Sequence, residues 1–157
     1  MVSLGILKPD MLTPGVNVLA AWVLNQWFSP VGEDYLQTDY ALLSGTSASL
    51  PHVTRFAATL KSVHRKGSPA AIRSAMMTTT DVVGNTGGPI TDMITGTAAT
   101  HLDFGAGHVN PNKAMDPGLV VYDIELDDYM DFLCGLNYTN LQIGIISRRH
   151  ECNCTRA

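Results

Sequence analysis

Hydrophobic residues in the first third of the chain come in short runs. Val16 to Trp22 follows the turn pair Pro14 and Gly15 and begins with β-branched residues, which predicts a buried strand after a turn. The run "DYALLSG" predicts a second strand, and Gly45 at its end supplies the backbone freedom of a sharp strand-to-helix turn. Residues 23–38 between the two runs read as a polar surface loop. At Thr46 the period changes. Leu50, Val53, Phe56, Ala57 and Leu60 recur at spacings of three and four, which predicts a helix to about Lys61 with one apolar face. Pro51 is expected in its first turns, where a missing N–H costs little.

A second helix has a clear start, with Ser68 as N-cap and Pro69 at the first helical position, and carries Ile72, Ala75 and Met76 on one face up to "TTT". Residues 81–100, rich in Gly, Thr and polar side chains, read as a surface loop with room for one short strand. Turn signals then crowd together at Gly105, Gly107, Asn110 with Pro111, and Pro117 with Gly118. The tail "IELDDYMDFLCGLNYTNLQIGII" has an amphipathic helical pattern, and Glu125, Asp127, Asp128 and Asp131 are expected on its solvated face.

Composition narrows the function. A chain of 157 residues, 45% apolar, can bury one sizeable core. A net charge of -4 without any Lys/Arg cluster gives no reason to expect nucleic acid or an anionic membrane as partner. "MVSLGILKPDML" reaches Lys8 and Pro9 before any apolar run long enough for a signal peptide, and no stretch of about 18 apolar residues occurs. Three cysteines, Cys134, Cys152 and Cys154, leave at least one unpaired within the chain. "HECNC", with His150, Cys152 and Cys154, lacks zinc-site spacing and a second ligand pair, so no metal and no cofactor is expected. "NYT" at Asn137 and "NCT" at Asn153 are N-glycosylation sequons, and they matter only on a secretory route.

The chemistry centres on "SGTSASLPH". A serine at a helix N-terminus after a glycine turn presents its hydroxyl from a fixed corner, and its unbonded backbone N–H can hold a developing oxyanion. The same pattern is also an ordinary helix cap. Its surroundings add to it: "SGTSASLPHV", preceded by "LKPDMLTPGVNVLAAW" and followed by "SPAAIRSAMMTT", resembles the subtilisin-like serine proteases, the subtilases, and among them the plant type. "FGAGHVNPNKAMDPGLVVYD" and "DYMDFLCGLNYT" resemble the segments that close the family's protease domain and lead toward a fibronectin-like β domain.

The resemblance implies an α/β fold, a mostly parallel sheet flanked by helices, incomplete on its N-terminal side. It implies residues 1–123 as the C-terminal portion of a peptidase domain and 124–157 as a helical linker. Ser47 falls on the family's nucleophile, in a triad of chain order Asp, His, Ser, and the implied reaction is endopeptidase hydrolysis of a protein or peptide through an acyl-enzyme. Secretion to the extracellular space is implied by analogy. Neither an Asp-Thr/Ser-Gly nor a His-Gly-Thr-His segment occurs in the sequence. The resemblance places both before "ILKPD", as it does the oxyanion-hole Asn.

No local histidine is an evident substitute. His52 is rotated about 140° from Ser47 on a helix, His64 lies about 25 Å along it, and His101 and His108 fall in loops. The isolated chain is therefore expected to be inactive unless a complementing chain supplies Asp and His; the alternative is a non-catalytic truncated homologue with an interaction role. Ala48 and Leu50 replace the family's Met and Cys, changes a packed site absorbs. Arg55 stands where the family has a small residue, and Thr59 shares its face. Either that face carries a costly buried guanidinium or it is wet. Strands taken from the interior of a parallel sheet would leave edges exposed and the isolated chain marginally stable.

Overall fold

The periodic stretch after Gly45 forms helix α1, Thr46–Val63, in a computed structural model that describes residues 6–26, 28–32, 34–118, 123–149 and 154. Val53, Phe56 and Ala57 of the expected apolar face pack beside the buried Leu60, whereas Leu50 is 64% exposed. Pro51 lies inside the helix beyond its first turn. Because it has no N–H, the carbonyl four residues earlier, that of Ser47, lacks the usual helical donor.

Helix α2, Pro69–Thr78, starts as expected: Ser68 Oγ accepts from the Ala71 N–H at 2.9 Å, and proline occupies the start of the helix. Ser68 also donates its hydroxyl to Asp123. Ala75 and Met76 are buried and Ile72 packs beside them, which joins α2 to α1 through Leu60. The crowded turn region holds two single-turn helices, α3 (His101–Phe104) and α4 (Pro111–Ala114). Thr100 and Asp103 form a capping box on α3, and Asn110 caps α4 before Pro111. Ala114 of α4 closes the core over Leu60 and Met76.

Strand β1, Val18–Ala21, pairs antiparallel with β4, Tyr40–Leu43, in the register Val18 to Leu43 and Leu19 to Leu42. The stretch expected as a polar loop contains a second antiparallel pair, β2 (Ser29–Val31) with β3 (Asp34–Leu36). The named strands among the described residues thus form two-stranded antiparallel sheets, and the parallel sheet implied by the resemblance is not found in them. The connection explains this. Parallel pairing needs a crossover, usually a helix, and the chain between β1 and β4 instead turns back through a hairpin. Residues 81–100 are irregular apart from bridges at Asp81–His108, Val83–Pro89 and Thr91–Ala98.

Near the site, three distant segments meet backbone to backbone. The Leu12 N–H donates to Gly107 O at 2.8 Å, Val109 N–H to Leu12 O at 2.9 Å, and His108 and Asp81 exchange bonds of 2.8 Å. At the other end, α5 (Leu126–Gly135) and α6 (Asn140–Ser147) form a helical hairpin. Ile143 is its buried centre, Cys134 is disulfide-bonded to Cys154, and Arg149 pairs with Asp127 at 3.0 Å. The acidic residues Glu125, Asp127, Asp128 and Asp131 are exposed, as their pattern predicts.

Candidate active site

Gly45 joins β4 to α1 with φ 144° and ψ 170°, backbone angles that essentially only glycine adopts. Its carbonyl accepts from Ala48 N at 3.0 Å and Ser49 N at 3.3 Å, which starts the helix. Its own N–H donates to Gly15 O at 2.8 Å, so the turn is fastened to the one that precedes β1. A second link lies beside it: the Thr13 hydroxyl donates to Ser49 O at 3.2 Å, and the Ser49 hydroxyl donates to Thr13 O at 3.4 Å. A Cβ at Gly15 would overlap the Ser49 hydroxyl, which would have to turn away from Thr13 O, and would press on Gly45 O at 3.0 Å. Below, the Asn17 N–H donates to Ser44 Oγ at 2.9 Å.

Ser47 is held by this frame at the first turn of α1, exposed, and its hydroxyl makes no hydrogen bond among the described residues. It is not the helix cap that its pattern allowed. Gly45 occupies the cap position, with no side-chain bond, and the first N–H groups of the helix are the ones that helical geometry leaves without partners. The site can therefore offer a hydroxyl and, at the positive end of the helix dipole, an oxyanion donor.

The histidines are engaged elsewhere. His52 Nδ1 lies 3.3 Å from Ala48 O, one turn back along its own helix, and His64 Nε2 lies 2.8 Å from Met115 O. His101 Nδ1 is 2.9 Å from Gly105 O, and His108 Nδ1 is 3.1 Å from Val109 O. Arg55 and Thr59 are exposed, so of the two readings of that face the wet one describes this chain. The Thr59 hydroxyl turns inward onto Arg55 O at 2.9 Å.

The firmly held carboxylates brace the fold. Partial burial would raise the Asp10 carboxyl, but hydrogen bonds from Lys8 and Arg73 outweigh it and leave its pKa below the ordinary value. Asp81 is held low first by the Lys113 ammonium at 2.5 Å and then by the Asn110 amide at 2.7 Å. Asp103 is lowered by the Thr100 N–H and hydroxyl within its capping box. The Asp10 bonds tie residues 8–10 to α2, and the Asp81 bonds tie that residue to α4 and its cap.

Two clefts among the described residues lie away from Ser47. One of about 600 Å³ is lined by Leu60, His64 and Ile72, and one of about 970 Å³ runs between residues 6–10, α2 and α5. Ser47 lines neither. Cys154 is committed to its disulfide and so cannot ligate a metal as a thiolate; His150 and Cys152 lie outside the described residues, as does the sequon residue Asn153. Among the described residues, no group of three His, Cys, Asp or Glu side chains could hold a metal ion, and no helix is long and apolar enough to cross a membrane. Asn137, the other sequon residue, is exposed between α5 and α6. Sequence periodicity could not disclose Thr13, Gly15 and Ser49 as the site's frame, because their partners lie about thirty residues or more away.

Residues 2–109 match the Subtilase family. The chain is 51% identical over 152 residues to the subtilisin-like protease SBT1.5 of Arabidopsis thaliana, covering 96% of this chain and 20% of that protein. It is 52% identical over 154 residues to the subtilisin-like protease SBT3 of Solanum lycopersicum, again covering 96% of this chain and 20% of the relative. The chain thus spans about a fifth of the length of these relatives.

Proposed function

The chain belongs to the subtilase family, and on that premise we propose that it carries Ser47 as the nucleophile of a serine-type endopeptidase. The observation that carries this reading is Ser47 itself: an exposed hydroxyl, free of hydrogen bonds among the described residues, on the first turn of α1 behind a glycine-only corner. Ser47 Oγ attacks the carbonyl carbon of a peptide bond and passes its proton to a histidine base. The oxyanion forms beside the Ser47 N–H, the amine leaves with the proton, and water releases the acyl group.

The base and its orienting aspartate come from polypeptide outside these 157 residues, either the rest of a longer protein or a complementing chain. The commitment of the four described histidines to backbone carbonyls supports that division. In the complete domain the β1–β4 hairpin borders a mostly parallel sheet supplied by the same polypeptide. Residues 1–123 belong to that domain, and 124–157 lead away from it. The disulfide favours an oxidising, extracellular destination.

A fluorophosphonate probe tests the reading. The 157-residue chain alone should stay unlabelled, and adding the missing part of the domain should give labelling that Ser47→Ala abolishes. If the completed protein remains unlabelled, the non-catalytic reading replaces this one; the absence of any described histidine at Ser47 is the observation in its favour.

A further inference from the structure

The exposed side of α1 does not have the make-up of a solvent face. At about 100° per residue, Leu50, Pro51, Thr54, Arg55, Ala58 and Ser62 lie within about 80° of Ser47 around the helix. All of them are exposed, Leu50 at 64%. A helix face turned to water is ordinarily polar and charged. Between Ser47 and Ala58 this one carries a single formal charge, Arg55; Lys61 lies beyond and donates to Gly67 O at 2.8 Å. Its hydroxyls are turned inward as well. Thr54 Oγ1 donates to Leu50 O at 3.0 Å, Thr59 Oγ1 to Arg55 O at 2.9 Å and Ser62 Oγ to Thr59 O at 2.7 Å. Such bonds satisfy the polar groups within the helix and leave carbon outermost.

Arg55 is the exception on a face otherwise ready to be covered. Its guanidinium makes no hydrogen bond or ion pair among the described residues. It stands eight residues, about 12 Å of helix, from Ser47. A layer laid over the face encloses it, and an enclosed guanidinium without a partner is strongly destabilising. A carboxylate relieves that, because the planar fork of arginine bonds both of its oxygens. What covers the face follows from where it begins. The face starts at Ser47, where the base must arrive, and the chain spans only about a fifth of its relatives' length.

We propose that the Ser47 face of α1 is the docking surface for the polypeptide that supplies Asp and His, and that Arg55 selects that polypeptide. The one that fits carries an Asp or Glu carboxylate about 12 Å down the helix from the nucleophile. Arg55 does not act on the reacting atoms; it decides what can complete the site. The resemblance places a small residue at this position, so the covering layer of a relative has no guanidinium to receive. The proposal rests on the reading of Ser47 above, and its test separates the two.

The test is a chimera of the Solanum lycopersicum SBT3 protease in which this full chain replaces the segment it matches. Yield of soluble, cooperatively melting monomer reports docking, and fluorophosphonate labelling reports Ser47 separately. With Arg55 the chimera should fold poorly, and Arg55→Ala should raise the yield about tenfold or more. An aspartate scan of the SBT3 portion should return a position that restores folding with Arg55 and gives no gain with Arg55→Ala. Ala58→Arg, a new guanidinium on the same face, should undo the gain made by Arg55→Ala. Equal folding with Arg55 and with Arg55→Ala, or a scan that returns no such position, overturns the role of Arg55. A chimera that folds with neither, or an Arg55→Ala chimera that tolerates Ala58→Arg, overturns the docking face. An Arg55→Ala chimera that folds yet stays unlabelled supports the docking face and strikes the reading of Ser47 alone.

Discussion

The helical core and the β1–β4 hairpin both present apolar side chains to be buried, yet only one of them is covered. Around Leu60, 2% exposed, the residues of α1, α2 and α4 close on each other from three directions. In the hairpin, the pleat divides the same kind of residue into two sets. Val18, Ala20, Ala41 and Leu43 point to the covered side, while Leu19, Leu42 and Tyr40 stand 68%, 59% and 63% exposed on the other. A hairpin with one bare apolar face lacks a layer.

The contrast can be broken first at its covered end. Leu60→Ala should cost about 2–5 kcal/mol, the range for deleting a buried leucine side chain, and calorimetry should show a large fall or loss of the transition. Gly45→Ala should cost about 1–3 kcal/mol through backbone strain and misplace the start of α1 without touching the core; an unchanged melting temperature would contradict the corner described for Ser47. Acid should act on the braces of the helical side. Asp10, Asp81 and Asp103 lie below the ordinary carboxylate value of 3.8 when folded. Their contribution is present above that value and lost as pH falls through the lower folded values. Melting temperature against pH should therefore decline below about pH 4, less steeply in Asp10→Asn.

Smaller effects sharpen the hairpin end. Ser49→Ala removes one bond of the Thr13 latch and should cost about 0.5–1.5 kcal/mol. Leu42→Lys should change stability by about 0.5 kcal/mol at most, as for other exposed positions, but should reduce association, read by sedimentation velocity. The unaltered chain should associate through its bare strand face and edges. A monomeric preparation that melts cooperatively would show that the exposed face needs no partner.

Legibility followed the range of the interactions. α1, α2 and the Ser68 cap were readable because a helix is set by neighbours three and four residues apart. The β2–β3 pair was hidden because strands of three residues are too short to show an alternation, and α3 and α4 were hidden because a single turn shows no period. Ser47 and Gly45 were legible as a corner; Thr13 and Gly15, which hold the corner in place, were not.

By itself the sequence determined the helices, the glycine corner, the position of Ser47 and the family in which that position has a meaning. Each of these rests on local backbone preference or on a contiguous motif. Tertiary structure decided that β1 and β4 pair antiparallel, that Arg55 is wet, that Cys134 chooses Cys154, and that the histidines bond to carbonyls instead of Ser47. Those outcomes depend on which distant segments arrive to cover a face or meet a side chain, and no local pattern encodes the arrival.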